Sequence, residues 1–295
     1  MTRQPSFKNL EIAGHTVSVT IVEGRAPSRP TADKDCGRDG ARPSSNKPVP
    51  SILALHGFTG SSEDFSPLWE TEAGSQLTWI CPDFMGHGKS ASPFEPEPYS
   101  LANALKVIGK ARALAPDPDN VCLLAYSMGG RIALHYLMEN PTLQAYLIGT
   151  SPGLPSADER EQRKHQDENW IRLLEAPDSI DKFCDAWEAQ PLIAPQTALP
   201  EPLCSELSIR RRQNSAIGLA QSLASCGTGS LPSLWHKLAR LSSVNLIHGS
   251  EDDKFAGIAG RMKEANSSLR IHSIAGSGHA PHLEDPEAVM RVLGF

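Results

Sequence analysis

Apolar and polar positions along this chain switch between two periods. Residues 7–23 alternate apolar and polar, which predicts a pair of half-buried strands with a turn at Gly14-His15. Short apolar runs follow at Ser51–Leu55, Leu77–Cys81, Val121–Leu124, Ala145–Ile148 and Val244–Ile247, with a further strand pattern at Leu269–Ile274. Continuous apolar runs of this length predict strands buried on both faces. Between them, around 64–72, 101–114, 128–139 and 284–293, apolar residues recur at helical spacing. Strands alternating with helices predict an α/β fold, a mostly parallel sheet with helices on both faces.

Two stretches interrupt the alternation. Residues 25–49 are rich in Pro, Gly, Ser and charge and carry no periodicity, so they read as a long, exposed, flexible loop between strands. Residues 156–238 are helical in pattern with no convincing strand, and Ser156-Ala157-Asp158-Glu159 is a capping box that starts one helix. The expected organisation is a core of residues 1–152 and 239–295 with a helical lid, 153–238, inserted after the sixth strand.

Composition narrows the classes. At 295 residues the chain can bury a substantial core. A net charge of −6, with no long Lys/Arg block, argues against a nucleic-acid or membrane-surface partner. The start has no apolar signal core, and no run approaches the roughly 20 apolar residues of a spanning helix. Six cysteines are spread without a C-x-x-C pair, which points to a reduced, cytoplasmic setting. No metal-ligand spacing or cofactor motif is visible. The oligomeric expectation is a monomer or a weak homo-oligomer.

The chemistry concentrates at strand ends. The run at Val121–Leu124 leads into Ala125-Tyr126-Ser127-Met128-Gly129, and a helical pattern starts at once. A serine on a sharp strand-to-helix turn is the nucleophile elbow of α/β-hydrolase folds. The turn strains the serine backbone, so the residues two before and two after it must be small. Gly129 meets that need, and Ala125 stands where glycine is common. Asp252 lies just after the Val244–Ile247 strand, and His279 after the last strand, giving the order Ser…Asp…His expected for this fold. In that arrangement His279 takes the proton of Ser127, and Asp252 holds the tautomer and stabilises the imidazolium. Asp253 and Glu251 are rivals for Asp252, and His282 for His279. His56-Gly57-Phe58-Thr59-Gly60 follows an earlier strand. Its Phe58 amide and the Met128 amide are candidates for an oxyanion hole. Gly86-His87-Gly88-Lys89-Ser90 ends like a phosphate-binding loop, but Asp83 occupies the position of that motif's first glycine.

An esterase acting on a neutral ester needs little more than this. Here Arg131 lies one helical turn beyond Ser127. Arg160, Arg163, Asp167, Trp170 and Leu174 share one face of the first inserted helix, and Arg210-Arg211-Arg212 follow. Arginine suits a bidentate grip on carboxylates, which suggests a small anionic substrate with more than one carboxylate. Surface pairing with Asp158, Glu159, Glu161 and Asp167 is the alternative role for the arginines of the inserted segment. Tyr126 reads equally as core packing or as a pocket-lining hydroxyl.

Taken together, these segments resemble the 2-succinyl-6-hydroxy-2,4-cyclohexadiene-1-carboxylate synthase family, lyases of menaquinone and phylloquinone biosynthesis. The resemblance runs from about residue 51 to the end. It rests on Leu55–Ser61, Tyr126–Arg131, Gly249–Phe255, Ala157–Arg163 with Asp167 and Trp170, and Phe183 with Trp187. Gln190-Pro191-Leu192, Ser233-Leu234-Trp235, and Gly278-His279 with His282-Leu283-Glu284 complete it. It implies the α/β-hydrolase fold and a cofactor-independent elimination of pyruvate from a tricarboxylate, with Ser127 as the base and no acyl-enzyme. It also implies substrate contacts from Tyr126, Arg131, Arg163, Trp187 and Arg211. Glu188 departs from the pattern: a carboxylate there repels an anion unless it points away or pairs with an arginine. The alternatives are a serine hydrolase of a carboxylate-bearing ester or C–C bond, and a non-catalytic anion-binding protein.

Overall fold

A computed structural model describes residues 4–25 and 50–295. Apart from Arg25, the expected loop at 25–49 lies outside the described residues. The strands are β1 (Ser6–Ile12), β2 (His15–Val22), β3 (Ser51–Leu55), β4 (Thr78–Pro82), β5 (Val121–Tyr126), β6 (Ala145–Ile148), β7 (Val244–Gly249) and β8 (Arg270–Ile274). They form one sheet in the order β1-β2-β4-β3-β5-β6-β7-β8. The β1–β2 and β2–β4 pairs are antiparallel and the rest parallel. The hairpin turns at Ala13-Gly14, one residue earlier than the sequence pattern placed it, because His15 already pairs with Ile12.

Burial explains the two strand patterns. Every residue of β3, β4 and β6 is buried, whereas β1 is exposed along most of its length at the sheet edge. The pleat then sends alternate residues to opposite faces. Leu53, Leu55, Leu123 and Ala125 join one core, and Ile52, Ala54, Leu124 and Tyr126 the other. Helices α1 (Ser66–Glu70), α2 (Leu101–Arg112) and α3 (Met128–Leu137) follow β3, β4 and β5. Between β6 and β7 lie α4 (Ala157–Glu175), α5 (Ile180–Glu188), α6 (Leu203–Arg212) and α7 (Ala216–Cys226), with no strand among them. Helix α4 starts at Ser156, whose hydroxyl accepts from the Glu159 amide while the Glu159 carboxylate accepts from the Ser156 amide. Helices α8 (Asp253–Ala265), α9 (Pro281–Glu284) and α10 (Pro286–Leu293) complete the chain.

The segment from α4 to α7 has its own small core. Leu174, Phe183, Cys184, Leu219 and Ala220 are buried together, and Phe58 packs against them. Phe183 and Trp187 stack at 5.7 Å, and Trp187 meets Phe58 edge-on at 5.2 Å. That contact seats the helical segment on the loop after β3.

Topology puts the chemistry in one place. From β3 the chain moves outward to β4, then returns to the other side of β3 as β5. A crevice opens outside the carboxyl ends of strands where the winding direction reverses. The loops after β3 and β5 flank it, and they carry Phe58 and Ser127.

Candidate active site

The elbow is strained as its position requires. Ser127 sits at φ 48°, ψ −106°, between the last residue of β5 and the first of α3. A non-glycine residue held there costs on the order of 1–3 kcal/mol and persists only where the surroundings enforce it. They do: the Ser127 amide donates to the Ile148 carbonyl, and the Gly129 amide to the His56 carbonyl. A Cβ on Gly129 would come within 2.5 Å of the Leu55 carbonyl oxygen, so only glycine fits.

Three loops bring the array together. Asp252 Oδ2 accepts from His279 Nδ1 at 2.7 Å, and His279 Nε2 lies 3.3 Å from Ser127 Oγ. The carboxylate can only accept, so Nδ1 carries the proton and Nε2 is free to accept the serine proton. Asp252 Oδ1 also accepts from the Phe255 amide, capping α8 and fixing the carboxylate. Burial alone would raise the Asp252 pKa, but the hydrogen bond and charge of His279 hold it below the ordinary carboxylate value. The rivals fall away. Asp253 and Glu251 do not reach His279, and His282 lies buried against Tyr126, neither ring nitrogen having a partner among the described residues. The amides of Phe58 and Met128 donate to no backbone acceptor among the described residues.

Above Ser127 opens a pocket enclosing about 900 Å³, part of it open to solvent. Phe58, Tyr126, Met128, Arg131, Arg163, Trp187 and His279 all line it. Arg131 is half-buried. Burial first, then the charge of Arg163, push its pKa down to about 10, which leaves it cationic at neutral pH. Its Nε has no partner among the described residues, nor does Trp187 Nε1. Arg163 Nε donates to Asp167 Oδ1 at 2.8 Å. Burial raises the Asp167 pKa, and Arg163 opposes that rise.

Two of the sequence-selected arginines are not brought to this pocket. Arg160 donates to the carbonyls of Leu154 and Pro155 and does not line it. Arg211 is buried beneath, pairing with Glu188 at 3.3 Å and donating to Gln196, whose amide in turn donates to the Tyr126 hydroxyl at 3.4 Å. Arg211 therefore reaches the pocket only through Gln196 and Tyr126. Glu188 also pairs with Arg212, so its charge is compensated on two sides. Tyr126 is 7% exposed and does both jobs left open for it, packing in the core and lining the pocket.

One cation escaped the sequence reading. Lys254 lines the pocket, and burial, then Arg163, lower its pKa while Asp252 opposes the shift. It sits in the first turn of α8, where the helix dipole disfavours a cation. That misplacement was the signal available in the sequence.

Comparison with known proteins bears on fold and lineage. Residues 52–292 match the model of the Alpha/beta hydrolase family. A Bacillus subtilis (strain 168) protein, provisionally assigned as 2-succinyl-6-hydroxy-2,4-cyclohexadiene-1-carboxylate synthase, is 32% identical over 246 residues, covering 82% of this chain and 88% of that one. The synthase of that name from Enterobacter sp. (strain 638) is 30% identical over 254 residues, 83% of this chain and 90% of the other. Among solved structures, MenH from S. aureus superposes with a TM-score of 0.75 at 24% identity, covering 94% of this chain and 96% of that one. An esterase from Exiguobacterium antarcticum reaches 0.71 at 19% identity, covering 97% of each, which is likeness of fold alone.

Proposed function

Because the chain belongs to the alpha/beta hydrolase family and, within it, to the 2-succinyl-6-hydroxy-2,4-cyclohexadiene-1-carboxylate synthases, we propose that it is the pyruvate-eliminating lyase acting on 2-succinyl-5-enolpyruvyl-6-hydroxy-3-cyclohexene-1-carboxylate. The observation that carries this reading is the charge around Ser127. Arg131, Arg163 and Lys254 line one pocket with the serine, and the substrate brings three carboxylates. A pocket for a neutral ester gains nothing from three cations crowded along its wall, two of them half-buried at a cost in desolvation.

The ring proton beside the succinyl ketone is acidified by that carbonyl and by the neighbouring double bond. Ser127 Oγ, its own proton passed to His279 Nε2, takes this ring proton. The electron pair forms the new ring double bond, the existing one shifts, and the C–O bond to the enolpyruvyl group breaks. The leaving enolpyruvate takes up a proton at carbon and becomes pyruvate. Negative charge developing on the succinyl oxygen meets the Phe58 and Met128 amides, each such donor typically worth roughly 3–4 kcal/mol in the transition state. Asp252 stabilises the imidazolium formed on His279. Trp187 Nε1 and Arg131 Nε supply donors that have no acceptor among the described residues. Helices α4 and α5, which carry Arg163 and Trp187, act as a lid over Ser127.

The assay is pyruvate release from the enolpyruvyl substrate. Release well above the spontaneous rate is expected, and Ser127→Ala is expected to lose nearly all of it while still binding product. Rapid turnover of an aryl ester with no pyruvate release would replace the lyase with a hydrolase.

A further inference from the structure

The two residues that begin the loop after β3 are usually read together as a turn. Here His56 has separate work. Its side chain is fully buried, and its Nε2 lies 2.9 Å from the Phe84 amide. A backbone N–H can only donate, so Nε2 holds the lone pair and Nδ1 holds the proton. Nδ1 lies 2.7 Å from the Gly57 carbonyl oxygen and therefore donates to it. The Gly60 amide donates to the same oxygen at 3.2 Å.

That carbonyl belongs to the peptide unit whose other end is the Phe58 N–H. In a trans peptide the two groups point in opposite directions. Holding the carbonyl on the His56 side turns the Phe58 N–H the other way, towards the pocket that Phe58 shares with Ser127 and Met128. Without such a hold the unit is easily rotated, because glycine at 57 tolerates both orientations of its ψ. The clamp itself is rigid. The His56 ring packs edge-on to Phe84 at 5.3 Å and tilted on His87 at 5.0 Å, and His87 in turn meets Phe58 edge-on at 5.7 Å. Burial pushes the His87 pKa down, so that ring stays neutral beneath the loop.

We infer that His56 is a positioning residue for the reaction, clamping the Gly57–Phe58 peptide so that the Phe58 amide faces the oxygen on which charge develops. The inference rests on the reading of the Phe58 amide as an oxyanion donor.

Two substitutions separate the clamp from the anchor. In His56→Asn the amide nitrogen takes the place of Nδ1 and keeps the donor to Gly57, but the acceptor for Phe84 is lost. In His56→Gln the amide oxygen takes the place of Nε2 and keeps the Phe84 bond, but the donor to Gly57 is lost. His56→Gln is expected to melt near wild type yet lose about tenfold to a hundredfold in kcat, less than outright removal of a donor costs, with KM nearly unchanged. His56→Asn is expected to melt lower and to keep kcat within a few-fold. Wild-type kcat in His56→Gln overturns the inference, and so does an equal loss in both variants.

A second readout is the rate at which a fluorophosphonate labels Ser127. Oγ bonds to phosphorus, fluoride leaves, His279 takes the serine proton, and the phosphoryl oxygen uses the same amides. The labelling rate is expected to fall in His56→Gln and hold in His56→Asn. If wild type labels but releases no pyruvate, the lyase reading falls alone and the labelling rates decide the clamp. A wild-type Ser127 inert to the reagent counts against the clamp itself.

Discussion

A cation that gives up water is an expensive residue, and of the three that line the pocket above Ser127, Arg131 and Arg163 are half-buried while Lys254 is more exposed. Burial lowers the pKa of both Arg131 and Lys254, and the charge of Arg163 lowers each further. An anionic ligand offsets that cost, so each cation belongs to binding more than to proton transfer. Replacing Lys254 with Gln is expected to raise KM about tenfold, the loss of one charge-assisted contact, and to change kcat little. Steady-state kinetics check this, and an unchanged KM would remove Lys254 from the substrate's surroundings. Lys254 also shows how a residue hides in plain sequence. It stands between the array's Asp252 and the core residue Phe255, and only the packing of α8 against β7 and β8 turns it to the pocket.

At the scale of elements, the helical segment is tied to the core by scattered polar contacts, among them Arg210 with Asp64, Gln196 with the Tyr126 hydroxyl and Gln221 with the Phe94 carbonyl. Asn214, at the corner between α6 and α7, donates to the Thr59 carbonyl and accepts from the Gly88 amide, both at 2.9 Å. Through these two bonds Asn214 bridges the segment to both the loop after β3 and the loop after β4. Asn214→Ala leaves the buried Thr59 carbonyl unpaired, at a cost of about 1–3 kcal/mol, and frees the Gly88 amide to water. Limited proteolysis is expected to cut within residues 157–240 faster in this variant, and pyruvate release to show a raised KM. Equal cleavage rates would mean that the aromatic contacts of Phe58, Phe183 and Trp187 and the remaining polar contacts hold the segment without Asn214. The Gly86–Ser90 segment has its place here too. The Asp83 carboxylate accepts from the Ser62 and Lys89 amides, so the acidic residue that ruled out a phosphate loop organises the turn instead.

Across the whole molecule, buried and half-buried neutral histidines weaken the fold in acid. Burial lowers the pKa of His87, brings that of His135 to about 4, and brings that of His282 to about 3, from an ordinary 6.5. The unfolded chain therefore binds protons below pH 6.5 that the folded chain refuses. Stability is full above that value and falls as pH drops towards 3, by up to about 1.4 kcal/mol per pH unit for each such histidine. Urea unfolding at pH 7.5 and at pH 5 checks the sign, and His282→Leu is expected to narrow the difference. Among the described residues no helix is long and apolar enough to cross a membrane. The strands along the chain, the elbow and the Ser…Asp…His sequence were legible in the chain because local patterns cause them: alternation, apolar runs, and small residues around a strained turn. Which acid and which histidine meet, that Arg160 stays outside the pocket while Lys254 enters it, and that Glu188 is neutralised by Arg211 and Arg212 were decided only by the tertiary structure. Those outcomes depend on how loops and helices pack in three dimensions, and residues from 23 to 152 positions apart leave no periodic trace of their meeting.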